Sequence, residues 1–216
     1  MRPDAGQKES PMSTTKPAVS AQTARRSWSL KDLVLVVVLG VVFGFLYWVF
    51  VQTWTALSIA MGPAGDLAQH FLLGSWLLVA PITIAIVRRP FAGIFAEVIA
   101  SVIEVIFLGS MVGPLLFVAA AIQGAGSEIP FALTRYRNYS WLTYAVSGLL
   151  GAGLVFFYSA FRSGWYGQEI LLLRLAIQLV SGVILGGLLA KLIVDALDKT
   201  GVVDNFAIGR DRLARA

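Results

Sequence analysis

Three carboxylates, Glu97, Glu104 and Glu128, stand inside long apolar runs of the sequence. An ionisable side chain at membrane depth costs roughly 2.5–3.5 kcal/mol on insertion scales, so such groups face a bundle interior or a water-filled cavity. Two chemistries suit them. A carboxylate in a dry cavity accepts hydrogen bonds from a cation or an amino-bearing solute, and a pair on one helix face can relay protons. Glu97 and Glu104 form such a pair, because residues seven apart share a face at 100° per residue, with Ser101 beside them. Ala92, Ala96 and Ala100 follow the same helix at four-residue spacing, a small-residue ridge that lets another helix approach closely. Glu97, next to that ridge, reads as structural, which leaves Glu104 as the ligand candidate on this helix.

Glu128 sits in a different setting, "QGAGSEIPFALTRYRNY" from Gln123 to Tyr139. Gly124 lies one turn earlier on its face, Gly126 and Ser127 weaken the helix, and Pro130 removes an amide and clashes with the carbonyl of residue 126. The spacing predicts a kinked or partly unwound segment, of the kind that lines ligand cavities in transporters. Two roles stay open for Glu128: a cavity acceptor, or a partner of Arg135 or Lys191.

Aromatic residues gather toward the opposite side of the apolar layer. Tyr47 and Trp54 share a face of the first helix, and Tyr158, Trp165 and Tyr166 belong to the end of the fifth helix and its loop. Interfacial belts account for many of these. Beside a carboxylate, though, the faces of Tyr47, Trp54, Tyr158 and Trp165 would suit a flat cationic or amino-bearing heterocycle. The segments Gln52–Asp66 and Phe161–Gly167 are expected to be loops able to close over it. His70 reads as an interfacial polar residue.

These side chains need a membrane-embedded frame. Of the 216 residues 57% are hydrophobic and 13% charged, and mean hydropathy is +0.78, too apolar for a soluble domain. Runs long enough to cross a bilayer fall at 32–52, 67–87, 90–108, 114–134, 141–160 and 168–195, which predicts an all-α protein of six transmembrane helices. Residues 1–27 read as a disordered cytoplasmic tail, 28–198 as the membrane domain and 199–216 as a cytoplasmic carboxyl tail. Of the 17 basic residues, 15 fall in the amino-terminal segment up to Lys31, in the 88–89 and 135–137 turns and in the segment from Lys191 to Arg215, so both termini are expected to be cytoplasmic. The net charge of +5 then reports topology, not nucleic-acid binding.

With no cysteine and a single histidine, thiolate and histidine metal centres and a cysteine nucleophile are excluded. There is no Walker A motif and no ordered catalytic constellation, so the chain reads as a non-enzymatic subunit without a cofactor. Gly40 and Gly44 in "VLGVVFGFLYW" form a GxxxG ridge, and Gly182 and Gly186 form another.

From "SWSLKDLVLVVVLGVVFGFLYW" through "EVIASVIEVIFLGSMVGP" to "QGAGSEIPFALTRYRNY", residues 27–198 resemble the YkoE family. Members are the substrate-binding S components of energy-coupling factor (ECF) ABC transporters for hydroxymethylpyrimidine or thiamin. The resemblance implies a six-helix bundle that binds vitamin near its outer side, docks on a transmembrane scaffold subunit and is driven by separate cytoplasmic ATPases. It also implies a small-residue docking motif on the first helix. Gly40 and Gly44 match that spacing but not the usual alanines, and Ala92 with Ala96 is the second candidate. The rival expectation is a proton-coupled secondary transporter working through Glu97 and Glu104, in the same prokaryotic plasma membrane.

Overall fold

The computed structural model describes residues 28–213. The tail assigned to residues 1–27 lies outside them. Secondary structure among the described residues is entirely helical, arranged as six consecutive rods and one short terminal helix. The first rod, α1, spans Leu30–Ala60. Its start is fixed by a capping box: Ser29 Oγ accepts from the Asp32 amide at 3.1 Å, and Asp32 Oδ2 accepts from the Ser29 amide at 3.1 Å. The helix runs on through Trp54, so the loop expected from Gln52 begins only after Ala60.

The second rod, Gly62–Val87, is broken into a 3-10 turn Gly62–Leu67, α2 Ala68–Leu72, a second 3-10 turn Leu73–Leu77 and α3 Val79–Val87. It is the core of the bundle: 89% of its apolar window is buried, against 33% for α1. A broken helix at that depth needs side chains to satisfy its freed backbone groups, and neighbouring rods supply them. Ser181 Oγ accepts from the Gly74 amide at 3.0 Å and donates to the Phe71 carbonyl at 2.7 Å. Tyr47 Oη accepts from the Val79 amide at 3.1 Å. Gly74 is required there, because a Cβ would run into the Ser181 carbonyl.

The third rod joins α4, Ala92–Val102, to a π-helical turn Ile103–Phe107. α5 covers Leu116–Leu133 and α6 Trp141–Arg162. The sixth rod, Leu171–Thr200, contains α7 Leu171–Ser181, a π-helical stretch Gly182–Leu189 and α8 Ala190–Thr200. Five rods are long and apolar enough to cross a membrane; the third, which carries Glu97 and Glu104, is shorter. α4 packs between α1, α3 and α5, and α6 between α5 and the sixth rod.

α9, Ala207–Leu213, folds back beneath α3, burying Ala207, Ile208 and Gly209. Arg88 pairs with Asp211 there, and Arg89 Nε with Asp32 Oδ2 at 3.3 Å. Part of the expected carboxyl tail is therefore folded. The start of α1, the 88–91 turn and α9 share one end of the bundle, called the basic end below.

Irregular backbone is not where Pro130 suggested it. α5 is continuous through Pro130, and the breaks lie in the second rod and in the two π-helical stretches. The glycines before Pro130 serve close packing: a Cβ on Gly124 would stand 2.7 Å from Ile94 Cα, and one on Gly126 2.9 Å from Gly151 Cα.

Candidate binding cavity

A cavity enclosing about 550 Å³, mouth included, opens at the end opposite the basic end. Five rods build it. α1 contributes Val51 and Trp54, the second rod Gln69, Leu73 and Trp76, the third Glu104, α5 Leu116, Ala119 and Gln123, and α6 Val155, Tyr158 and Arg162. Its mix of aromatic walls with a few polar groups is that of a small-molecule site.

Among the described residues Glu104 is its only carboxylate. The side chain is 1% exposed and accepts from Ser110 Oγ at 2.8 Å. Glu104 lies in the π-helical turn, whose wider pitch ends with the Ser110 amide donating to the Glu104 carbonyl at 3.0 Å. No salt bridge joins Glu104 to a cation among the described residues, so its remaining acceptor capacity is turned to the cavity. Gln123 is buried opposite and adds an amide that can both donate and accept. Trp54 and Trp76 supply apolar faces, and Tyr158 lines the mouth while donating to the Leu115 carbonyl at 3.3 Å.

Of the expected ligand residues, then, Glu104, Trp54 and Tyr158 come together. Tyr47 does not join them. It is buried between α1, α3 and α4, donating to Glu97 Oε1 at 3.4 Å while capping Val79. Trp165 packs edge-on to His70 with centroids 5.1 Å apart, under the Arg174 guanidinium at 5.1 Å, and does not line the cavity. His70 is no interfacial residue: it is 1% exposed, and its Nδ1 meets Gln178 Oε1 at 2.7 Å.

Glu128 lies at the basic end. It accepts from the Phe91 amide, from Tyr136 Oη at 2.7 Å and from the Ile94 amide at 3.4 Å. Phe91, with φ 67°, begins α4 without a side-chain cap of its own, so Glu128 satisfies first-turn amides from another helix and complements the dipole. Neither Arg135 nor Lys191 is its partner; Lys191 pairs with Asp195. Burial and the adjacent carboxylate push the Tyr136 phenol above its usual range, keeping it a donor.

Both candidate docking ridges are packed within the bundle. Gly40 and Gly44 are buried against α4, where a Cβ on Gly40 would stand 2.5 Å from Ile99 Cγ2 and one on Gly44 2.7 Å from the Ala100 carbonyl oxygen. Ala92, Ala96 and Ala100 are fully buried. In this structure the two ridges form seams inside the bundle.

Gln123, Gln69, Trp76 and Arg162 are cavity residues that the motif reading passed over. Gln123 carried a usable signal, an uncharged polar side chain within an apolar run. Trp76 carried none, because only the break in the second rod turns it inward.

Over residues 31–155 the chain matches the family described as the permease component of an ABC-type cobalt transport system. It is 34% identical over 188 residues to a Bacillus subtilis (strain 168) protein that bears the name HMP/thiamine permease protein YkoE, covering 86% of this chain and 92% of that one. A crystal structure of an S-component of an ECF transporter matches with a TM-score of 0.80 and 34% identity, over 88% of this chain and 95% of that chain. The chain belongs to the YkoE family of ECF S components.

As a YkoE-family member it is a non-enzymatic, multi-pass subunit of the prokaryotic plasma membrane that binds a transported substrate. In this YkoE-like bundle the cavity of Glu104, Trp54 and Gln123 is the place where several rods converge on a polar anchor between aromatic walls.

Proposed function

We propose that this chain captures hydroxymethylpyrimidine, thiamin or both in the Glu104 cavity and delivers them to an ECF-type importer. The observation that carries the reading is the meeting of one carboxylate, Glu104, with the aromatic residues Trp54 and Trp76 and the Gln123 amide in a single cavity. An aminopyrimidine offers an exocyclic amine for Glu104 and ring nitrogens for an amide donor, on a flat π-system that indole faces can hold. Thiamin and hydroxymethylpyrimidine share that ring, and the B. subtilis relative is named for both.

The family description also names cobalt. A divalent metal calls for several converging oxygen, nitrogen or sulfur donors. Among the described residues no group of three His, Cys, Asp or Glu side chains is placed to hold one. The donor set of the cavity fits an organic amine better.

The basic residues in the short loops support a cytoplasmic position for the basic end. The cavity then faces outward. Transport would need a transmembrane scaffold subunit and cytoplasmic ATPase subunits, with this chain supplying recognition in the lipid bilayer.

Calorimetric titration of the purified protein with hydroxymethylpyrimidine, thiamin and Co²⁺ tests the reading. Binding of either pyrimidine is expected, and binding of Co²⁺ alone would overturn it. Proteoliposomes separate the carrier alternative: the chain alone should bind but not transport under a pH gradient, and uptake should require scaffold, ATPases and ATP.

A further inference from the structure

A second cavity, enclosing about 640 Å³ with its mouth, lies at the basic end between α3, the α5–α6 turn, α6, α8 and α9. Nothing in the substrate reading uses it. Its walls alternate in charge: Arg88, Lys191 and Arg212 face Asp195, Asp198 and Asp211. These groups pair as Arg88 with Asp211, Lys191 with Asp195 and Arg212 with Asp198. Pairing leaves capacity on both sides. An ammonium has three donors and a carboxylate about four lone-pair sites.

Tyr144 is the second, independent observation. It lines this cavity and is 0% exposed, yet its hydroxyl has no hydrogen-bond partner. A buried hydroxyl without a partner carries its full desolvation cost, so an acceptor of some kind belongs beside it. The ammonium of Lys191 lies 5.8 Å from the Tyr144 ring centroid and 5.5 Å from that of Trp141. Trp141, the first residue of α6, is 47% exposed, and Leu142 and Leu192 beside the cavity are exposed too. An exposed indole at a helix end marks the depth where hydrocarbon gives way to headgroups.

We infer that this cavity binds a phosphate carrying a primary ammonium, the chemistry of a phosphatidylethanolamine headgroup. The phosphate accepts from Tyr144 Oη and Lys191, and the ammonium donates to Asp195 and Asp198. A simple anion would meet the carboxylates as well as the cations and gain little. A quaternary ammonium has no N–H to give them. Bound there, the headgroup ties α6, α8 and α9 together at the membrane surface.

Thermal unfolding of the wild-type chain and of Tyr144→Phe tests this in three settings: delipidated detergent, phosphatidylcholine nanodiscs, and such nanodiscs with added phosphatidylethanolamine or phosphatidylglycerol. In detergent Tyr144→Phe should be at least as stable as wild type, because it removes an orphaned hydroxyl. With phosphatidylethanolamine the wild type should gain a midpoint rise of about 2–4 °C. Tyr144→Phe and Lys191→Gln should each lose that rise. Free phosphoethanolamine added in detergent separates the sources: an equal rise supports a soluble ligand, and no rise supports the lipid. An equal gain in phosphatidylglycerol or in phosphatidylcholine alone would overturn the proposal, as would Tyr144→Phe behaving like wild type throughout, which is the result expected if water fills the cavity. None of these outcomes bears on vitamin binding at the other end.

Discussion

The Glu128 carboxylate and the Tyr136 hydroxyl meet at 2.7 Å beneath the first turn of α4, and the same carboxylate holds the amides of Phe91 and Ile94. Glu128 is thus a cap supplied in trans to a helix whose own first residue cannot cap it. Glu128→Ala should cost about 1–3 kcal/mol of stability by leaving buried donors unmet. Tyr136→Phe should then cost less in that background than in wild type, since the two groups share one network. Unfolding in detergent measures both, and ligand affinity should not change in either variant. A loss of affinity with full stability would return Glu128 to a cavity role.

Glu104 should behave in the opposite way. Glu104→Gln keeps the shape and an acceptor for Ser110 but removes the charge, and a hydrogen bond to a charged group is worth about 1.5–3 kcal/mol. Affinity for an aminopyrimidine should fall by roughly ten- to a hundredfold on that basis, with the unfolding midpoint little changed. Unchanged binding in calorimetry would place the ligand elsewhere.

Tyr47 links three rods through one hydroxyl, donating to Glu97 and accepting from the Val79 amide. Tyr47→Phe removes both bonds in the buried core and should destabilise by about 1–3 kcal/mol. Glu97→Gln keeps an acceptor for Tyr47 and should cost less than Glu97→Leu. Equal losses in the two Glu97 variants would show that the Tyr47 bond contributes nothing.

The frame of this protein was legible because its signals are long. Apolar runs of about a helix span gave six rods, most with ends within about five residues of those observed and the first ending eight residues short, and Glu104, Trp54 and Tyr158 line one cavity. The misplaced residues share a physical cause. Glu97 and Glu104 occupy one face by spacing, but spacing does not say which of them meets a cavity and which meets Tyr47. Glycine and proline around Glu128 signal close packing as readily as a break. The actual break in the second rod, around Gly74, is satisfied by polar groups of Ser181 and Tyr47 that are distant in sequence. Likewise a GxxxG ridge records that something approaches Gly40 and Gly44, not whether it is α4 or another protein.

That seam can be tested directly. At Gly44 a Cβ would already stand 2.7 Å from Ile103 Cβ, so Gly44→Leu must push α1 off α4. Overpacking of this sort typically costs about 1–3 kcal/mol and occasionally more, a large fraction of a stability of about 5–15 kcal/mol. The melting midpoint and vitamin binding should therefore fall together. Wild-type stability and binding with transport alone abolished would restore these glycines as a docking surface.

Tryptophan fluorescence distinguishes the cavity from its surroundings. Trp54 and Trp76 line the cavity, whereas Trp165 does not and is held against His70 and Arg174. A ring held beside Trp54 or Trp76 changes the emission of the indole it touches, and Trp165 is screened from it. Ligand addition should shift or quench emission in wild type and in Trp165→Phe, and the response should shrink in Trp54→Phe and in Trp76→Phe. Trp54→Ala should also speed dissociation more than it slows association, because substitutions within one site act mainly on the off-rate. If instead Trp165→Phe abolishes the response while Trp54→Phe and Trp76→Phe retain it, the turn after α6 closes over the ligand and the resting arrangement of Trp165 on His70 is a state that binding must undo.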